Sequence, residues 1–187
     1  MCISRKVLAV ALSMGLGLAL SWAGAQSVEP PARSGIGGEA TEAQIEMWDI
    51  DVSPSGEGLP PGRGTVKRGA QVFAAKCATC HGPNGTEGPT NRLVGGRNTL
   101  KSTQPIKTVG SYWPYATTLY DYIYRAMPFT APQSLKPDEL YSLVAWLLFQ
   151  NGIVPEDIIL DANTLPAVRM PNRDGFVRDP RPDVGPR

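Results

Sequence analysis

Cys77-Ala78-Thr79-Cys80-His81 has the C-x-x-C-H spacing that is typical of covalent attachment of a c-type haem. Two thiols at this spacing, on the last turn of a helix, reach the two vinyl groups of one porphyrin and form thioethers. The histidine that follows lies under the iron and can bind it as a neutral imidazole. His81 is the only histidine in the chain. The motif therefore predicts one covalent haem c, held by Cys77 and Cys80, with His81 as an axial iron ligand.

Two other kinds of site share the C-x-x-C spacing. A structural zinc ion needs four ligands, and the only cysteine besides this pair is Cys2, in a segment that we expect to be removed. A thioredoxin-like redox pair would follow a strand in a βαβ unit, and no such pattern precedes Cys77. Both alternatives fit the sequence less well than haem attachment does.

The chain just before the motif has the pattern of an amphipathic helix. Thr65 is the expected N-cap, and the helix brings Cys77 to the haem. Gly69 inside the helix costs about 1 kcal/mol relative to alanine, so we expect it to be there to let another helix approach closely. The apolar stripe consists of Val66, Gly69, Ala70, Phe73 and Ala74.

Two more helices are expected after the motif. Residues 114–126 predict a helix that ends before Pro128, because proline disfavours helical backbone in the residue before it. A last helix begins at Pro137 and ends at Asn151-Gly152, a typical C-terminal stop. No segment shows sustained alternation of apolar and polar residues, so the prediction is an all-α fold. The face expected toward the haem in the first of these helices consists of Leu119, Tyr122, Ile123 and Ala126.

Glycine and proline dominate on both sides of this helical region. Residues 26–64 predict an irregular N-terminal extension with one short helical turn, and we expect Trp48 to pin it to the domain surface. Residues 65–152 form the predicted haem domain. Residues 153–187 predict a C-terminal extension that wraps over that domain and frays at its end.

Residues 1–25 have the pattern of a cleavable secretory signal peptide. Arg5 and Lys6 precede an apolar run over residues 7–20, and Ala23-Gly24-Ala25 is an A-x-A cleavage site. The run is short for a membrane span, so we expect none after cleavage, although an uncleaved anchor remains an alternative. Export to the periplasm suits the haem, because thioether attachment takes place in such a compartment.

The charge balance argues against a nucleic-acid partner. The whole chain has a formal charge of +1, from 18 basic and 17 acidic side chains. Removal of the predicted signal peptide takes away two basic residues and no acidic ones, which leaves 16 − 17 = −1. A near-neutral protein lacks the basic surface that phosphate backbones require.

Met127 is the predicted second axial ligand. It follows a helix and precedes Pro128, whereas Met47 lies in the N-terminal extension and Met170 in the C-terminal one. Methionine also packs readily as core filler. An open or exchangeable sixth position is the alternative. Histidine–methionine ligation would leave the iron no free position and favour electron transfer.

The order of these features resembles class I cytochromes c. The resemblance covers residues 65–152 and implies that fold, with Gly69 and Phe73 crossing the last helix at Tyr141 or Trp146. Gly88-Pro89 is similar to the family's proline turn, which implies that the Pro89 carbonyl accepts the Nδ1–H of His81 and that Pro89 lines the haem pocket.

A closer resemblance is to the haem subunits of bacterial sulfur-compound dehydrogenases, of the SoxD type and of molybdenum sulfite dehydrogenases. The strings that carry it are GSYWPYATTLYDYI from Gly110, RAMPF from Arg125, NGIVP from Asn151, LP from Leu165 and RMPNRDGF from Arg169. It implies a non-catalytic subunit that takes single electrons from a molybdenum-containing dehydrogenase subunit and passes them to a downstream cytochrome. Typical SoxD proteins have a second haem domain, so the single motif here favours a mono-haem sulfite dehydrogenase subunit or a related electron carrier.

A haem enzyme or sensor that binds a small ligand at the sixth position is the competing class of function. The absence of a second histidine and of a nucleophile beside a base argues against self-contained catalysis.

Tyr112 and Trp113 are candidate pocket residues that donate to a haem propionate. Arg92 and Arg97 are candidates to pair with a propionate or are simply solvated surface charges.

Overall fold

The computed structural model describes residues 37–179 and Arg181. The predicted signal peptide over residues 1–25 lies outside the described residues. Within the described part of the chain, no helix is both long and apolar enough to cross a membrane. The elements in chain order are α1 (Glu42–Glu46), β1 (Arg63–Thr65), α2 (Val66–Lys76), α3 (Ala78–His81), α4 (Ala116–Ala126), α5 (Pro137–Gln150) and β2 (Ile159–Asp161).

Helix α2 begins as the sequence predicts. The side chain of Thr65 accepts a hydrogen bond from the backbone N–H of Arg68, 3.3 Å away, and so satisfies one of the free donors of the first turn. The helix ends at Lys76, and the separate turn α3 follows. Cys77 lies at the junction between the two helices, so α2 brings it to the start of the haem-binding turn.

Helices α2 and α5 cross at Gly69, which confirms the predicted close approach. A Cβ atom on Gly69 would overlap the carbonyl oxygen of Ser142 and would lie 2.6 Å from Cβ of Trp146. One turn further along, the rings of Phe73 and Trp146 stack with centroids 4.1 Å apart. The aromatic partner at the crossing is therefore Trp146, whereas Tyr141 packs against Tyr120 of α4 with centroids 4.8 Å apart.

Helix α4 starts two residues later than predicted, at Ala116, after an extended residue at Tyr115. Leu119 and Ile123 are buried as expected. Tyr122 is 49% exposed and its ring contacts Trp113, so its place toward the haem stays a prediction. Tyr120, which the sequence analysis did not assign to a face, is buried where α4 packs on α5.

A small antiparallel sheet is present that the sequence analysis did not predict. Gly64 of β1 pairs with Leu160 of β2, and both residues are buried. Strands of three residues are too short to show alternation, and these two lie far apart in sequence. The pairing ties the end of the N-terminal extension to the C-terminal extension, beside the start of α2.

The N-terminal extension is attached by different residues from the one expected. Trp48 is 83% exposed, so the prediction that it pins the extension is wrong. The attachment begins at Val52, which is buried and whose N–H donates to the Asp121 carboxylate of α4 over 2.9 Å. Further along, the hydroxyl of Tyr141 donates to the Pro60 carbonyl. Burial of Val52 in the hydrophobic core and hydrogen bonds from its backbone and that of Pro60 to side chains of α4 and α5 therefore hold this segment.

The C-terminal extension is held against the loop before α4. Met170 is buried, with 1% of it exposed. Asn172 Nδ2 donates to the Tyr112 carbonyl over 2.8 Å, and Arg173 lies over the Tyr115 ring, 4.2 Å from its centroid. Phe176 contacts the Tyr112 ring edge-on at 5.2 Å. The stretch from Arg169 to Phe176 is therefore an anchored part of the molecule.

Candidate haem site

The three residues of the C-x-x-C-H motif share one helical turn. The backbone N–H groups of Cys80 and His81 both donate to the Cys77 carbonyl, at 3.1 and 3.0 Å. Both thiols are free; Cys77 is half-buried and Cys80 is exposed. The two sulfur atoms and the imidazole are therefore close enough together to bind a single porphyrin.

The hydrogen bonds of His81 determine which ring nitrogen carries the proton. Nδ1 lies 2.9 Å from the backbone carbonyl oxygen of Asn91 and 3.0 Å from Oγ1 of Thr90. A carbonyl oxygen can only accept, so Nδ1 must be the protonated donor. In the described part of the chain Nε2 makes no hydrogen bond. Its lone pair is therefore available, which fits an imidazole ligand to haem iron.

The acceptor for His81 is not the residue that the resemblance implied. The prediction named the Pro89 carbonyl, but the structure places the Asn91 carbonyl there, and Pro89 is exposed. The reason is the path of the loop. The backbone N–H of Thr90 donates to the Cys80 carbonyl over 3.0 Å, and its hydroxyl does so over 2.7 Å. Thr90 thus fastens the loop to the haem-binding turn, and the following residue faces the imidazole.

Thr90 contacts the site twice. Because its hydroxyl proton is directed at the Cys80 carbonyl, its oxygen lone pair faces the Nδ1–H of His81. The imidazole N–H is therefore shared between Thr90 and Asn91. No sequence signal identified either residue, because the contact depends on how the loop folds back over the motif.

Cys77 packs against the hydrophobic core. Burial raises the pKa of this thiol to about 11; nearby Lys76 opposes the shift and Cys80 adds to it. Within the described residues, no three or more His, Cys, Asp or Glu side chains form a group suited to a metal ion. The zinc alternative thus lacks a ligand set there, and the free thiols and the oriented imidazole fit haem attachment.

Met127 occupies the C-cap of α4. Its N–H donates to the Ile123 carbonyl over 2.9 Å, and its side chain is half-buried against the hydrophobic core. Met170 is enclosed in the core, and Met47 lies on the surface. Among these three methionines, Met127 alone combines a position at a helix end with partial enclosure.

Comparison with known proteins shows which family has this combination of fold and haem-binding motif. The family model for cytochrome c matches residues 66–150. A chain in the crystal structure of the sulfane dehydrogenase SoxCD from Paracoccus pantotrophus superposes with a TM-score of 0.73 at 43% sequence identity. The match covers 80% of this chain and 74% of that one. The chain belongs to the cytochrome c family. The comparison with curated proteins gives no match.

Membership confirms the class I cytochrome c fold and one covalently bound haem c. When bound, the haem supplies a single-electron couple, and this chain supplies the attachment and the ligands. Cys77 and Cys80 fit the attachment motif. The small two-stranded sheet is the one departure from an all-α description among the described residues.

The predicted pocket residues of the cytochrome have contacts of their own. The Tyr112 ring lies against Phe176, and Trp113 contacts Tyr122 edge-on with centroids 5.5 Å apart. Nε of Arg92 donates to the Thr86 carbonyl, and Arg97 reaches the Gly152 carbonyl at 3.4 Å. Both arginines thus brace loops. Propionate binding by Tyr112 and Trp113 stays a prediction.

Asn151 is a structural residue of the cytochrome that sequence reasoning noted only as a helix stop. Its Oδ1 accepts from the Gly95 N–H, and its Nδ2 donates to the carbonyls of Leu93 and Leu147. This buried amide joins the loop after the haem motif to the end of α5. The loop that carries Thr90 and Asn91 is thereby held at both ends.

Proposed function

We propose that this cytochrome is the electron-accepting haem subunit of a periplasmic sulfur-compound dehydrogenase. The observation that carries the proposal is the 43% identity with a chain of a sulfane dehydrogenase, over 74% of that chain, combined with an intact haem-binding turn. Catalysis takes place on a molybdenum-containing partner subunit. The cytochrome accepts electrons one at a time and passes them to a downstream cytochrome.

In this proposal the iron is bound by Nε2 of His81 and the thioether sulfur of Met127. Thr90 and Asn91 hold the imidazole in the required tautomer. Because both axial positions are filled, substrate has no place to bind on the iron, and transfer of an electron is the remaining function. The alternative of a haem enzyme or sensor requires an exchangeable sixth position.

Two candidates for acid–base chemistry in the described part of the chain have other roles. The single histidine is used by the haem site, and the buried carboxylate of Asp121 is paired with Arg125 and bonded to Val52. Oxidation of a sulfur atom by oxygen from water releases two electrons and two protons. A mono-haem subunit must therefore pass on the first electron before it accepts the second.

Two substrate classes remain for the partner. Similarity to a sulfane dehydrogenase favours zero-valent sulfur, as in a persulfide. The single C-x-x-C-H motif favours the mono-haem sulfite dehydrogenases. With either substrate the cytochrome has the same electron-transfer role. The two classes are distinguished by which substrate, sulfite or a persulfide, leads to reduction of the haem.

The predicted chain organisation belongs to this proposal. A signal peptide over residues 1–25 directs export, and residues 65–152 form the haem domain. Support for the domain bounds comes from the N-cap at Thr65 and the C-cap at Asn151.

Stopped-flow mixing tests the proposal. The purified ferric cytochrome is mixed with sulfite or a persulfide, with and without the molybdenum subunit, and the ferrous α-band is followed. We expect no reduction by substrate alone and rapid reduction when subunit and substrate are both present. Equal reduction without the subunit, or none with it, would leave only a general electron carrier.

A further inference from the structure

A short acidic arm precedes the haem domain, and we define it as residues 40–51. It contains α1, whose N-cap Thr41 forms a capping box with Gln44. Ile45 is 52% exposed, Met47 70% and Trp48 more so. No residue of α1 is buried. The arm thus presents large apolar side chains to solvent on a defined turn of helix.

This exposure needs a physical explanation. Isolated helices this short are marginal in water, because nucleation is costly and few hydrogen bonds offset it. Ile45 and Trp48, three positions apart, lie on the same side of the turn, and the Trp48 N–H donates to the Ile45 carbonyl. An exposed tryptophan beside an isoleucine and a methionine is typical of an interaction site.

The charge of the arm indicates the chemistry of its partner. Residues 40–62 contain five acidic side chains and no lysine or arginine. Four of them lie within the arm itself: Glu42, Glu46, Asp49 and Asp51. An anionic lipid surface or a nucleic acid would repel this segment. A protein groove with an apolar floor and a basic rim would complement it.

The end of the arm is fixed to the haem domain. Val52 donates its N–H to Asp121, and the Pro54 carbonyl accepts from the Thr117 hydroxyl at 3.2 Å. The two side chains in these hydrogen bonds, Asp121 and Thr117, belong to α4, the helix whose C-cap is Met127. The arm therefore leaves the domain from a defined point, which lowers the cost of ordering it on a partner.

We propose that the acidic arm docks into a basic-rimmed apolar groove on the dehydrogenase subunit, with Trp48 as the central anchor and Ile45 beside it. The inference rests on the proposed function, because it assigns the surface that binds the same partner. Apolar contacts set the lifetime of the complex, and the acidic side chains speed its formation.

The test is the affinity of the holo-cytochrome for the molybdenum subunit, measured by biolayer interferometry over a range of salt. We expect Trp48→Ala to raise the Kd at least about tenfold, as truncation of an interface anchor does. Glu42→Gln combined with Glu46→Gln should slow association and weaken its salt dependence. Val177→Ala removes a side chain that is 90% exposed outside the arm and should leave the Kd unchanged.

The outcomes separate this inference from the proposed function. If the wild type binds and is reduced, but Trp48→Ala binds equally well, the arm is not the docking element and the proposed function stands. If the wild type neither binds nor is reduced, both fail. Trp48-dependent binding to phosphatidylglycerol vesicles, or a Trp48-dependent homodimer in sedimentation, would also overturn the assignment to the dehydrogenase subunit. Unchanged absorption spectra of the variants show that the haem domain is intact.

Discussion

The hydroxyl of Thr90 is a second acceptor for the imidazole N–H of His81. Under the proposed ligation of the iron by His81, two acceptors draw the proton further from the ring, which increases the electron density that Nε2 offers to the iron and stabilises the ferric state. We therefore expect Thr90→Val to raise the midpoint potential of the haem. Thr90→Ser keeps the hydroxyl and should stay close to the wild type.

Spectroelectrochemical titration of the three proteins measures this effect. The absorption spectrum should remain low-spin in all of them, because Asn91 still accepts from Nδ1. Equal potentials in the valine and wild-type proteins would show that Thr90 only holds the loop. A shift that serine fails to restore would point to the same conclusion.

Replacement of Met127 tests the sixth ligand. In Met127→Ala the iron should gain high-spin character, its potential should fall and the ferrous protein should bind carbon monoxide, because an open position replaces the thioether. The matched control is Met170→Ala, which removes a buried methionine from the C-terminal extension. It should cost about 2–5 kcal/mol of stability and keep the low-spin spectrum.

Near-infrared absorption at the thioether-to-iron band checks the assignment directly. Persistence of this band in Met127→Ala, with its loss in Met170→Ala, would assign the ligand to the C-terminal extension. Carbon monoxide binding by the wild type would support the ligand-binding alternative.

At the scale of elements, the crossing of α2 and α5 sets the geometry of the haem-binding turn. Gly69→Ala should gain about 1 kcal/mol from helix propensity. The new methyl group would overlap the Ser142 carbonyl, which is backbone and cannot rotate away. Overpacking of this kind costs about 1–3 kcal/mol, so we expect net destabilisation.

Denaturant unfolding of the holo-cytochrome measures the difference. Ala74→Gly, on an exposed position of the same helix, is the matched control and should cost about 1 kcal/mol through propensity alone. If Gly69→Ala proves more stable than the wild type, α5 must be free to move away, and the close approach is not required.

At the scale of the whole molecule, the two extensions meet on the haem domain. The strand pair joins them beside the start of α2, and the C-terminal extension then contacts the loop before α4 through Asn172 and Arg173. The extensions thus brace the segments on both sides of the haem-binding turn. They also leave the acidic arm outside the packed core, where a partner can reach it.

Local signals allowed the sequence by itself to determine the haem-binding turn and the ends of the helices. C-x-x-C-H, the N-cap Thr65 and the stop at Asn151-Gly152 each act within a few residues, so no knowledge of the fold is needed to recognise them. The small residue at position 69 was recognisable for the same reason, since glycine inside a helix has a known cost.

Tertiary structure alone decided which distant segments meet. The carbonyl facing His81 belongs to Asn91 and not Pro89, because Thr90 bonds the loop to Cys80. Trp48 is exposed, and the extension is attached further along, where Val52 is buried and bonded to Asp121. Burial and hydrogen bonding across long separations depend on how the helices and loops pack together, and a pattern within one segment does not contain that information.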